Sequence, residues 1–423
     1  MGLKVAVVGG GSTYTPELVE GFATRAAVLP IDELVLLDPD EDRLAIVGGL
    51  ADRILRRAGW PGRLTLTGDR SAALEGAAYT LIQLRVGGQA ARLVDETLPH
   101  RFGAIGQETT GPGGFAKALR TVPLVLEIAE EAARRGAPDA WVLDFTNPVG
   151  IVTQALLDGG FRALGLCNVA IGFQRAFARR FDVEPSRVVL DHVGLNHLTW
   201  IRAVAVDGVD RLPELMAAGD PIVTADEHFP LSLVRAIGAV PSYYLQFYYE
   251  TDAVLREQLA GRNRANDVME IERELLDLYR DPALDRKPAL LEQRGGAYYS
   301  EAAAALIESL HTGDGAIHVV NARNDGAIPN LPDDAVVETG ARIDRDGAHL
   351  LPTAPLAGEM LGLVEHAKAY ERLAIEAALS GDDTTTLRAL LANPLVPGAA
   401  AAEGLRDALV EANLRYLPRF MPR

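Results

Sequence analysis

Six nearly all-apolar residues, Leu3 to Val8 (LKVAVV), run straight into Gly9-Gly10-Gly11-Ser12-Thr13 and then into a helix-forming stretch. This junction constrains the fold more than any other segment. A short continuous apolar run suits a parallel strand covered on both faces, and glycines allow a tight reversal into a helix. Thr15 is expected to cap that helix, with Pro16 at its first position and Leu18, Val19 and Phe22 on its apolar face. Further strand-like runs at 33–38, 63–68, 78–84, 140–145 and 161–167 alternate with helical stretches such as 41–57. The pattern predicts an α/β fold with an N-terminal Rossmann-like, doubly wound parallel sheet.

After about residue 190 the alternation stops. Helices are expected at 266–281 and 298–311, and Ala-rich ones at 383–393 and 400–416, with an Asn-Pro break at 393–394. The chain is therefore divided into a dinucleotide-binding domain, 1–190, and a mixed α+β domain, 191–423. The second is expected to carry substrate, metal and oligomer contacts. Its 423 residues suit two or three domains.

With 41 Lys and Arg against 58 Asp and Glu, the net charge is −17, and no basic run occurs, which argues against a nucleic-acid partner. An anionic ligand would need a local basic pocket. The single cysteine, Cys167, excludes an intrachain disulfide and any Cys-x-x-Cys metal site. No stretch nears the ~18 apolar residues that span a bilayer, and no secretory leader is apparent, so a cytoplasmic location without membrane contact is expected.

Five segments could carry chemistry. Gly9, Gly11, Ser12 and Thr13 at a helix N-terminus, with Asp38 ending the second strand, suit a dinucleotide: amide hydrogens face a pyrophosphate and the carboxylate holds ribose hydroxyls. Asp38 favours NAD over NADP. Asn147 follows a strand end, where it is either a ligand contact or a helix cap. Cys167 and His197 supply two soft ligands and leave open positions on a metal, although each alone is as readily a packing residue. The segments 87–92 and 108–115 read as close-fitting loops over a polar ligand, with Arg92 able to take a phosphate bidentately. The run Pro241 to Tyr249 reads as aromatic packing, in which a tyrosine acting as a base would need a nearby cation.

Taken in order, GGGSTYTPELVEGF, RVGGQAAR, GQETTGPGGF, DFTNPVG, CNVAIG, GLNHL, PSYYLQFYY, NRANDVMEIERELLDLY, RGGAYYSEAA and GAIPNLPDDAVVE resemble glycoside hydrolase family 4, and most closely its 6-phospho-β-glucosidases. These stretches span residues 9–338, about four-fifths of the chain. The resemblance implies NAD and a divalent metal, usually Mn²⁺, as cofactors. It implies Cys167 and His197 as metal ligands, Tyr244, directly before Leu245, as base, and Arg92, Asn147, Asn168 and Arg264 as substrate contacts. Asn168 matches the β-acting members. Thiolate and imidazole by softness suit Zn²⁺ or Fe²⁺, so Mn²⁺ rests on the resemblance alone.

The implied route departs from the usual carboxylate pair. Hydride leaves carbon 3 of the sugar, the resulting ketone acidifies the carbon-2 proton, Tyr244 removes it, and the aglycone is eliminated from carbon 1. Water then adds and the hydride returns. A homodimer or homotetramer acting on a phosphorylated sugar is expected. Unphosphorylated glucosides or uronides, an NAD-dependent 2-hydroxyacid dehydrogenase, and a module that binds NAD without turnover remain alternatives.

Overall fold

The computed structural model describes residues 2–225, 227–261, 263–295 and 298–421. Six parallel strands lie at its centre: β1 (Leu3–Val8), β2 (Ile31–Leu37), β3 (Arg63–Thr67), β4 (Tyr79–Ile82), β5 (Trp141–Asp144) and β6 (Ala163–Gly165). Their order is 3-2-1-4-5-6, the doubly wound arrangement expected from the alternation. Burial on both faces explains their apolar character. Val5 and Val7 of β1 pack with Leu34 and Leu36 under the helices Thr15–Thr24, Glu41–Arg57 and Tyr299–Thr312. Ala6 and Val8 point the other way, with Val35, Leu37 and Ile82, under Gly111–Arg135, Val149–Asp158 and Gly358–Ser380.

A second, small antiparallel sheet holds β7 (Val188–Leu195), β8 (Leu198–Val206), β9 (Val209–Asp210) and β10 (Val240–Pro241), with Trp200 fully buried against it. The chain then returns to the large sheet. Strand β11 (Ile317–Arg323) pairs antiparallel with β6, and β12 (Val336–Asp344) and β13 (Gly347–Leu350) follow as an antiparallel ladder beyond it, making the sheet nine-stranded. A boundary at 190 thus does not separate two sheets, because three later strands cover the otherwise open edge of β6. The helices Asp383–Leu391 and Ala399–Asn413 also join the core beneath the first half.

Local corrections have simple causes. Thr15 does not cap the first helix. It is the first helical residue, its hydroxyl donates to the Gly10 carbonyl at 2.9 Å, and Tyr14 stands at the cap position without a capping bond, its hydroxyl donating to Glu17 at 2.9 Å. The segments read as loops are largely helical: Gly88–Thr97 and Gly111–Arg135 form helices, the first favoured by Gln89, Ala90, Ala91 and Arg92. By contrast Glu41–Arg57 starts and stops as read, with Asp40 accepting from the Arg43 amide at 3.0 Å, acids in its first turn and arginines in its last. No helix among the described residues is long and apolar enough to cross a membrane.

Candidate active site

The carboxyl ends of the parallel strands open into a cavity of about 1860 Å³. Gly9, Gly11, Ser12, Asp38, Arg92, Asn147, Asn168, Tyr244 and Arg264 all reach its wall, although they come from segments up to 255 residues apart (9 to 264). Three expected site residues do not. Thr13 is buried behind the wall, its hydroxyl donating to Glu272 at 3.4 Å and its carbonyl accepting from Tyr279. Cys167 and His197 are also buried behind it, covered by tyrosines.

At one end lies the glycine turn. A Cβ on Gly11 would stand 2.8 Å from Asp38 Oδ2, so any other residue there would displace that carboxylate. The Gly9 and Gly10 amides donate to the Leu37 carbonyl, Gly11 donates to Asp38 Oδ2 at 2.9 Å, and Ser12 donates to Gly9. The turn is therefore closed on itself. It does not present the row of unpaired amides expected from the sequence, because the end of β2 takes three of them. A flat, side-chain-free surface beside Asp38 and the Ser12 hydroxyl fits a dinucleotide lying along it.

At the other end, Cys167 follows β6 and precedes the helix Asn168–Phe181, while His197 sits between β7 and β8. The Tyr244 ring lies flat on the His197 imidazole, with centroids 3.6 Å apart and planes within 7°. His197 Nδ1 is buried without a hydrogen-bond partner. Burial lowers the imidazole to about 4, against the pull of Glu338, which keeps it neutral, the form that coordinates a cation. Burial, reinforced by Glu338, pushes the Cys167 thiol up, against the pull of the Val169 amide, Asn196 and Tyr299. Among the described residues no group of three or more His, Cys, Asp or Glu could hold a metal. A thiol and an imidazole with an orphaned nitrogen therefore fit an ion that takes its remaining ligands from outside the protein. Burial also drives the Tyr244 phenol well above its usual value, so it stays protonated at neutral pH unless a cation lies beside it.

Between the two ends, Asn147 is not the cap of the helix that follows. Pro148 holds that position, and Asn147 Oδ1 is buried without a partner. Arg92 Nε donates to Glu96 at 2.6 Å and lies 3.4 Å from Glu108. Arg264 begins the helix Arg264–Tyr279 and donates to the Gln293 carbonyl at 2.7 Å. The sequence reading assigned no role to Arg85, Glu108, Lys117, Tyr299 or Glu338. Glu108 pairs with Arg85 and, at 2.7 Å, with Lys117. Against the effect of burial, Arg85, Lys117 and Arg92 hold its carboxyl well below the usual range. Arg85, Glu108, Tyr299 and Glu338 fall within motif stretches that do not single them out, and Lys117 lies outside them.

A 3-2-1-4-5-6 sheet with a large crevice at its strand ends defines the class of dinucleotide-fold enzymes. The chain belongs to family 4 of the glycosyl hydrolases: the model of that family matches residues 4–183, and the model of its C-terminal domain matches 192–396. Relatives cover nearly the whole chain. It is 42% identical to the "Probable 6-phospho-beta-glucosidase" of Bacillus subtilis (strain 168), over 99% of this chain and 98% of that one. It is 38% identical to the 6-phospho-beta-glucosidase of Escherichia coli (strain K12), over 99% and 97%. A crystal structure of the Thermotoga maritima 6-phospho-beta glucosidase with manganese, NAD⁺ and glucose-6-phosphate superposes with a TM-score of 0.92 at 36% identity, covering 98% of this chain and 99% of that one. A lactate dehydrogenase at 14% identity and TM-score 0.56, covering 89% and 99%, shares the fold alone.

Proposed function

We propose that the protein hydrolyses 6-phospho-β-glucosides with NAD and a divalent ion, Mn²⁺, as cofactors. The observation that carries this reading is Tyr244, on the wall of the cavity that the glycine turn also lines, lying flat on His197 buried behind that wall, with Cys167 in the same packed cluster. The relatives named above support the substrate class. The glycine turn and Asp38 would hold NAD, and Cys167 and His197 the ion. When bound, these groups supply a hydride acceptor and a Lewis acid.

The residues divide the remaining work. Tyr244 takes the proton from carbon 2 of the sugar at its phenol oxygen. Asn147, with a partnerless buried oxygen, accepts from a sugar hydroxyl, and Asn168 stands on the adjoining strand end. Arg92 and Arg264 orient the phosphate, in a wall where Arg85, Arg92 and Lys117 face two carboxylates, Glu96 and Glu108. That excess of cations overcomes locally the repulsion of a −17 chain. Glu108 itself is held too firmly ionised to donate a proton to a leaving group, which disfavours an ordinary carboxylic-acid route. The same reading makes the protein a cytoplasmic homodimer or homotetramer, which sedimentation tests.

The test is release of nitrophenol from p-nitrophenyl β-glucoside 6-phosphate, with and without NAD⁺ and Mn²⁺. We expect cleavage to require both, and to slow or lose label to solvent when carbon 2 carries deuterium. Normal cleavage with full retention of the label overturns the proposed role of Tyr244. NADH accumulating with 2-hydroxyacids, without nitrophenol, overturns the glycosidase reading.

A further inference from the structure

Glu338 on β12 is 1% exposed and accepts three hydrogen bonds. His192 Nε2 lies 3.0 Å from Oε1, and because a carboxylate only accepts, the imidazole must donate there. Asn196 Nδ2 and Asn321 Nδ2 donate to Oε2 at 2.8 and 2.9 Å. So many donors on one buried carboxylate satisfy a charge that would otherwise be unfavourable in the interior.

The donors come from the two places that carry the soft ligands. Asn321 stands directly opposite Glu338 on β11, and on its other side opposite Gly165 of β6, two residues before Cys167. Asn196 immediately precedes His197 in the turn between β7 and β8. Gly150 packs close against it, since a Cβ added there would lie 3.2 Å from that of Asn196. One carboxylate thus ties together the end of β6 and the turn after β7.

We propose that Glu338 is a positioning residue for the metal centre, holding Cys167 and His197 in register through Asn196 and Asn321. The inference rests on the reading of those two residues as ligands. Glu338 touches the ion only through its neighbours, because it forms no three-member ligand group with them among the described residues. Its charge has a purpose at that distance. A thiolate and a neutral imidazole bring one negative charge to a doubly charged ion, and Glu338 brings the second.

The test is a titration of the full-length protein with Mn²⁺, followed by the paramagnetic resonance of the free ion, alongside a separate NAD titration. We expect E338Q, which keeps the shape and can still accept from both asparagines but removes the charge, to weaken Mn²⁺ about 10–100-fold while NAD affinity stays within about twofold. N196A should weaken Mn²⁺ in the same sense. Turnover of E338Q should recover at saturating Mn²⁺, as a group acting directly on the sugar would not allow. Unchanged Mn²⁺ affinity in E338Q, or equal losses for Mn²⁺ and NAD, overturns the inference while leaving the ligand reading in place. If E338Q does not fold, N196A decides, and unchanged Mn²⁺ affinity there overturns it. Wild-type protein that binds no Mn²⁺, or C167S that binds it equally well, overturns the ligand reading itself.

Discussion

Tyr244 is held by packing on one face and open to the cavity on the other, so its hydroxyl can be removed with little disturbance to the stack on His197. Tyr244→Phe should lower kcat by about 10²–10⁴-fold while leaving NAD affinity nearly intact, as steady-state rates and an NAD titration would show. Parallel losses of both would mark a packing role instead. What was legible at this scale was residue type at strand ends. Asn147 could be singled out from its place after β5, yet only its partnerless oxygen separates a ligand contact from a helix cap. Thr13 was misplaced because a turn motif specifies which residues are near a ligand, and not which way each side chain points. Glu338 could not be singled out, since a buried charge is recognised by its partners and His192 meets it across 146 residues.

The elements are joined by buried ion pairs. Arg120 in the helix Gly111–Arg135 makes a two-pronged pair with Asp95 in Gly88–Thr97, at 2.9 and 2.7 Å, and also donates to Asn413 at the end of Ala399–Asn413. Both charged side chains are almost fully buried. Arg120→Met leaves Asp95 uncompensated and should cost about 3–5 kcal/mol in urea unfolding, with part of the loss recovered by adding Asp95→Leu. His318 on β11 predicts a pH dependence. Burial lowers it to about 4, and its Nε2 lies 2.9 Å from the Ser309 hydroxyl. The unfolded chain takes up a proton near pH 6.5 that the folded chain refuses until about 4, so stability should fall as pH drops through that window. Because the ring is only half-buried, we expect a loss of about 1–2 kcal/mol. Unfolding curves at pH 7 and 4.5 should show a smaller difference for His318→Gln. Periodicity and caps gave most element positions, as in Glu41–Arg57, whereas 87–92 misled because glycines at its start masked the strong helix formers that follow.

For the whole molecule, the decisive feature is that β11 to β13 complete a sheet begun 300 residues earlier. A fragment ending at residue 190 would expose the edge of β6 and the apolar face that Ala374, Ala389 and Leu405 cover. Such a fragment should show no cooperative thermal transition and should aggregate, and a sharp reversible transition would mean that the first half folds alone. A doubly wound parallel sheet followed from alternation, but nothing local in 317–350 tells which sheet those strands will join. The positions of the two soft ligands add a mechanical side to the chemistry. Cys167 leaves the large sheet and His197 belongs to the small one, so an ion gripped by both is a rivet between two layers. Amide hydrogen exchange in β7 and β8 should therefore slow when Mn²⁺ is added, whereas exchange there that ignores the ion would mean the layers are clamped without it.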